Sequence, residues 1–413
     1  MRKIIISAAV AAMALSTTAS ALEDIKVSGQ AKLWYETSDT ATTNAGATGE
    51  DTLFHKDNSQ AEVVFKLGMT GKQGNVGFGV EMTQGSTMGL ENVLVSAART
   101  HTANQAAYVS KAYFTAPMGA DTTLKMGRQE LNTPLAFTEK WNAGQNNFDA
   151  AVVTNSSISN LTLLAAYVGQ TNTGFAQDMA EGNDPALYKS WKATNGFNQL
   201  GDNGAIAIAG LYKTDAFGLN VWGYNVTSVA NAVWADASFK AGPVALKAYA
   251  AMMMPADDDV ALDDTTAFAL SAGMKAGEVK LFAAASMISD DLDALPMGNI
   301  ATGFKKTKLP TAGVYTDGLY VAQPGSTAVK LKAATKLGST GLALQAVMNM
   351  NDDMALDANG DSAKETTEVD LIATQKVGDF NLKGILMHRS FASDSLDDSN
   401  GGIHARVIAS VNF

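Results

Sequence analysis

The chain has 413 residues, no cysteine, 46% hydrophobic residues and a formal net charge of −11 at pH 7. Without cysteine it holds neither a disulfide framework nor a thiolate metal centre, and its acidic balance speaks against nucleic acid as a partner. Past residue 21 no apolar run reaches the roughly eighteen residues of a membrane-spanning helix, because Lys, Asp, Asn or Glu interrupts every candidate.

Residues 1–21 read as a signal peptide. Met1-Arg2-Lys3 is a short basic head, Ile4 to Leu15 an apolar stretch, and Ala19-Ser20-Ala21 a small-residue cleavage site. The expected mature chain starts at Leu22 and forms a single domain, 22–413.

From there the dominant signal is a period of two. Val63, Phe65, Leu67 and Met69 alternate with Glu62, Lys66, Gly68 and Thr70, and after the turn composition Gly71 to Asn75 the alternation resumes at Val76, Phe78, Val80 and Met82. Such segments recur over 25–37, 60–71, 75–85, 107–116, 121–129, 147–155, 160–169, 203–214, 216–227, 229–240, 243–254, 264–276, 278–288, 326–338, 341–351, 364–377, 379–390 and 402–413. Their length suits tilted membrane strands better than soluble ones. Short connections alternate with mostly long ones, the link near Asn225–Val229 being the one short exception among the latter. That alternation predicts an all-β fold, a transmembrane antiparallel up-and-down β-barrel of about eighteen strands, with sixteen as the alternative count. Short turns belong to the periplasm and long loops to the outside. The last strand alternates down to Val411 and Phe413, which are read as the signal for the barrel assembly machinery.

Closing the sheet satisfies every backbone hydrogen bond, so the apolar phase must face lipid and the polar phase the lumen. With strand one beginning a few residues after Leu22, no N-terminal plug is expected, and a water-filled channel for ions and small hydrophilic solutes follows. The lumen phase receives Lys26, Lys32, Glu62, Lys66, Glu81, Lys125, Lys247, Lys280, Lys330, Lys332, Lys336, Asp370, Lys383, Arg389, His404 and Arg406. Acids concentrate in the loops, where they either bias ion passage or keep the surface solvated and bind divalent ions bridging lipopolysaccharide. The third loop, Glu130 to Asn142, carries Leu135, Phe137 and Trp141, more apolar character than an exposed loop needs. Folded inward it would bring Glu130, Glu139 and Lys140 to a constriction; packing on the rim is the other reading.

Three segments carry a family resemblance: Gly127-Arg128-Gln129-Glu130-Leu131-Asn132-Thr133-Pro134-Leu135, Phe148 to Asn155 (FDAAVVTN) and Leu161 to Gly169 (LTLLAAYVG). Together they resemble porins of the campylobacterial major outer-membrane protein type. Those are related to the OprD-like, substrate-selective porins of pseudomonads. The resemblance implies eighteen strands, a homotrimer and an inward third loop facing a basic ladder on the wall. Lys32, Lys330, Lys332 and Arg406 are assigned to that ladder from strand phase alone.

Other chemistry is thin. Of the four histidines none has metal-ligand spacing, and His388 and His404 on the last strands are expected as solvated lumen side chains. Asp357, Asn359 and Asp361 place oxygens at alternating positions around a glycine, loosely like a calcium loop, though an ordinary acidic turn fits as well; no other cofactor is expected. An enzyme is not expected, for want of a nucleophile, base and orienter together. An adhesin or surface-structural barrel using the long loops is the alternative function.

Overall fold

The computed structural model describes residues 22–39, 53–86, 88–89, 97–98, 107–119, 121–172, 197–256, 262–290, 294–351, 365–392 and 402–413. The expected signal peptide and the candidate calcium turn at Asp357, Asn359 and Asp361 lie outside these residues.

Eighteen long antiparallel strands follow one another: β1 (Glu23–Ser38), β2 (Ser59–Gln73), β3 (Val76–Ser86), β4 (Tyr108–Pro117), β5 (Thr122–Gln129), β6 (Phe148–Ile158), β7 (Leu161–Thr171), β8 (Ala205–Lys213), β9 (Phe217–Val226), β10 (Ala230–Ala241), β11 (Val244–Pro255), β12 (Thr265–Ala276), β13 (Val279–Ile288), β14 (Thr327–Leu337), β15 (Thr340–Met350), β16 (Glu365–Val377), β17 (Phe380–Ala392) and β18 (Gly402–Asn412). Each pairs with the next, and β1 pairs with β18 from Gln30 opposite Asn412 to Ser38 opposite His404, so the sheet closes. The count is eighteen, and the sixteen-stranded alternative falls. Closure continues one residue past β18, where Gly29 N–H donates to Phe413 O at 2.6 Å and Phe413 N–H returns to Gly29 O at 3.0 Å.

The two faces separate as the alternation requires. Phe65, Leu67, Phe114, Met126, Phe268, Leu270, Leu331, Leu344 and Leu371 stand exposed on the outer face, while Glu36, Glu62, Lys66, Glu368, Asp370 and Arg406 are buried on the inner one. Hairpins at the narrow end are as tight as the spacing suggests. Gly277 and Gly378 occupy the first central position of two-residue turns with φ of +59° and +58°, which a side chain would resist.

Two departures from strict alternation matter. Between β3 and β4 the register shifts at Glu81 and Met82, so Ser110 bulges out of the ladder. Its hydroxyl donates to Glu81 at 2.8 Å while neighbouring Lys111 reaches the same carboxylate at 3.2 Å, so two successive side chains point inward. A second shift between Asn155 and Ile158 carries β6 past its expected end.

The lumen is filled on its extracellular side. The third extracellular loop, L3 (130–147), folds inward, so the rim-packed reading falls. The seventh, L7 (289–326), which nothing in the alternation marked as special, also folds in. Leu135 of L3 and Leu295, Met297, Ile300, Phe304 and Leu309 of L7 form one apolar cluster with the inward alanines and aromatics of β6 to β13. That burial drives the loops into the barrel, as it would drive a soluble core.

Candidate functional site

L3 is anchored to the wall by charge. Glu130, just beyond β5, takes Lys111 Nζ at 2.6 Å, Lys140 Nζ at 2.5 Å and Gln145 Nε2 at 2.7 Å. Gln145 in turn accepts from Lys66 Nζ at 2.9 Å, and Lys32 Nζ donates to Asn142 O at 3.0 Å. Burial alone would raise the Glu130 carboxyl, but its bonds to Lys111 and Lys140 outweigh that and hold it down to about 2. Glu130 therefore stays ionised, and four lysines, from β1, β2, β4 and L3, are gathered round one loop.

L7 is stitched to L3 by hydrogen bonds centred on the Asn299 amide and the Glu139 carboxylate. The Asn299 amide accepts from Phe137 N–H at 3.1 Å and donates back to Phe137 O at 2.9 Å and to Glu139 Oε1 at 3.0 Å. Glu139 also accepts from the Thr302 hydroxyl, and from Trp141 Nε1 at 2.9 Å. Ile300 N–H donates to Leu135 O at 2.9 Å. Lys308 Nζ of L7 donates to Asn132 of L3 at 2.9 Å, within L7 Lys306 pairs with Asp317 at 3.1 Å, and burial pushes the Asp317 carboxyl up and the Lys308 ammonium down.

The tip of L7 rests on the opposite wall. Glu368 of β16 accepts the N–H groups of Val314, Tyr315 and Thr316 at 2.5, 2.9 and 2.6 Å. The Tyr315 hydroxyl bonds Glu36, whose other oxygen takes Arg406 Nε at 2.5 Å. Trp34, Trp141 and Tyr315 surround the Arg406 guanidinium at 5.0, 5.6 and 5.1 Å from their ring centres.

The residues singled out from the sequence thus fall into two groups. Lys66, Glu139, Asp370 and Arg406 are at most 8% exposed and lie beneath the inward loops. Lys32, Lys125, Glu130, Lys330 and Lys332 are half-buried and Lys140 is exposed. Lys330 donates to Ala312 O of L7, and Lys125 lies over the Tyr113 ring at 4.0 Å. His404 is on the lumen side but only 2% exposed, not solvated, and its ring tilts against Tyr315 at 5.0 Å. His388 departs from expectation, because the buried Ile385, Met387 and Phe391 define the inward phase of β17 and His388 falls on the other. Sequence reasoning missed Lys111, hidden by the bulge, and also Glu36, Glu368 and Tyr315. Glu36 and Glu368 sit in the inward phase that exposed Glu62 and Asp370, whereas Tyr315 lies in a loop without periodicity. Val411 and Phe413 continue the outward phase, and the Phe413 ring lies 5.9 Å from that of Phe65.

Comparison with known proteins agrees with this architecture. No curated protein sequence matches the chain. Among solved structures, Pseudomonas aeruginosa OpdO is similar at a TM-score of 0.70 and 16% identity, with 96% of this chain and 99% of that one covered. OccK9 (OpdG) from the same organism gives a TM-score of 0.70 at 14% identity, covering 94% and 98%, and OccK10 (OpdN) gives 0.66 at 16%, covering 95% and 99%. These likenesses are of fold. The sequence model of the Campylobacter major outer membrane protein matches residues 1–286, more than half the chain. The chain is thus an outer-membrane porin, a channel of the bacterial outer membrane, and it belongs to the Campylobacter major outer membrane protein family.

Proposed function

We propose that this porin passes small hydrophilic solutes and ions through a constriction built by L3 and L7, and that it favours anions. The observation that carries this reading is an imbalance on the lumen wall. Several inward acids are engaged: Glu36 by Arg406, Glu81 by Lys111, Asp236 by Lys247 at 2.8 Å, Glu368 by L7 backbone, and one oxygen of Asp370 by Gln345 at 2.6 Å. Lys332 and Lys383, in contrast, make no hydrogen bond or ion pair among the described residues, and both stand in the inward phase. An ammonium with no fixed counter-ion on a wet wall attracts a mobile one, and a permeating anion moves from one such group to the next. Lys32, Lys125 and Lys330, half-buried with neutral partners, extend the same cationic track past the loops.

The buried members of the sequence-derived set play a different part in this reading. Lys66, Glu139, Asp370 and Arg406 support the constriction from behind, while Glu130 and Lys140 present its edge. The outward placement of Val411 and Phe413 at the closing seam supports their reading as the assembly signal, since an apolar side chain there is accessible before the barrel meets lipid.

Purified protein in a planar bilayer under a salt gradient tests the proposal. The expected reversal potential has the sign of anion preference, and the double variant Lys332→Glu, Lys383→Glu moves it toward cations. A wild-type channel that prefers cations, or a double variant with unchanged reversal potential, overturns the selectivity reading. Conductance steps absent altogether would favour the adhesin.

A further inference from the structure

We propose that Glu368 is the positioning residue of the constriction, the single carboxylate on which the placement of the L7 tip depends; the inference rests on the channel reading above. The tip, 313–316, is a tight turn closed by Gly313 N–H on Thr316 O at 2.7 Å, and the next three N–H groups converge on one carboxylate. Such a run of backbone donors is an anion-binding nest, and here its anion is supplied by the barrel wall. Glu368 is fully buried, so a charge there persists only while those donors surround it. Packing enforces the contact, because a Cβ at Gly313 would stand 2.5 Å from Glu368 Oε1. Without that bond the tip keeps the Lys330 ammonium on Ala312 O and the Tyr315 side chain, whose hydroxyl bonds Glu36 and whose ring lies against Arg389, Arg406 and His404.

Glu368→Gln replaces an ionic acceptor by a neutral amide with a single acceptor oxygen, which weakens all three bonds at once. The tip then leaves the wall and swings across the lumen, and the channel closes intermittently. Several charged groups face this carboxyl. Asp370 lies on the same strand, Arg389 opposite on β17, Lys330 on β14 and Asp317 in L7, while Glu36 and His404 sit across the Tyr315 ring. Asp370 Oδ1 is buried without a hydrogen-bond partner, so the two carboxyls sit in a pocket with too few donors for both charges.

The chain has no cysteine, which makes a clean tether available. The hydroxyls of Ser286 on β13 and Thr311 in L7 lie 2.6 Å apart, close enough for a disulfide in the double variant Ser286→Cys, Thr311→Cys. Single-channel recording at pH 7 is the experiment. Wild type should sit at one open level, and Glu368→Gln should close frequently. Glu368→Gln combined with the oxidised cysteine pair should stay open and close again on reduction. A tethered Glu368→Gln channel that closes as often as the untethered one, or a Glu368→Gln channel as quiet as wild type, overturns the proposal. Reversal potentials come from the same traces, so a failed selectivity reading is told apart from a failed latch.

Discussion

L3 and L7 enter the same lumen by different means. L3 is held by ions: Glu130 with two lysines and Gln145, all within 2.7 Å, at the end of a strand that leads straight into it. L7 is held by apolar burial and by hydrogen bonds centred on the Asn299 amide, and it meets carboxylates of the barrel wall at its tip. Charges fix a short loop locally, and a long loop needs a surface. The consequence is that L3 should tolerate loss of its neighbour better than L7 tolerates loss of L3.

Replacing residues 295–322 by a short linker is the bluntest way to break that comparison. It should give the largest change of any variant, a rise in single-channel conductance well above that from trimming 132–144 of L3. A smaller rise than the L3 deletion would mean that L7 packs behind the constriction and does not narrow it. Next in size is Glu130→Gln. Its carboxyl is depressed from 4.5 to about 2 in the folded protein, so its stabilising contribution is fully present above about 4.5 and fades as pH falls through about 2. A shift of that size corresponds to about 3 kcal/mol. Thermal unfolding of the refolded barrel at pH 7 should show about that loss for Glu130→Gln, with wild type and variant converging near pH 2.

Asn299→Ala addresses the other side. Three hydrogen bonds between L7 and L3 vanish together, leaving Phe137 N–H buried without a partner while Phe137 O keeps its bond from Asn146 Nδ2 at 3.1 Å, at a cost of roughly 2–3 kcal/mol. Protease sensitivity of the two loops separates the outcomes. If charge secures L3 on its own, L7 should be cut in Asn299→Ala and L3 should survive; equal cutting of both would erase the distinction between them.

This contrast also explains how much was legible beforehand. The barrel was readable because a period of two must match a surface wet on one side and greasy on the other, so each strand announces its own phase. L3 was readable because Leu135, Phe137 and Trp141 stand in a loop too short to bury them by itself. L7 has comparable apolar residues, Leu295, Met297, Ile300 and Phe304, but spread over a long segment without period, where neither strand nor loop statistics expect a core. The bulge at Ser110 hid Lys111 for a related reason, since one inserted residue exchanges faces for everything after it. Phase assigned Lys66 and Arg406 to the inside of the barrel, yet phase carries no information on whether a loop then covers them.

The smallest expected effect tests the finest part of the L3 picture, the inequality between the two lysines that share Glu130. Lys111 is anchored in β4, its side chain 24% exposed, and bonds Glu81 as well, while Lys140 is 68% exposed at the loop's edge. An exposed ammonium gains little from a pair because water and salt already screen it, so Lys140→Ala should shift stability by less than about 1 kcal/mol. Lys111→Ala leaves two half-buried carboxylates facing each other and should cost several times more. The difference between the variants should persist and widen slightly from about 0.1 to about 1 M salt, where screening reaches within about 3 Å, because the Lys111 pairs are shielded from solvent ions while the Lys140 pair is not. Equal losses for both, or a Lys111→Ala deficit that salt abolishes, would show that L3 is pinned by its solvent-exposed rim and not by the wall beneath it.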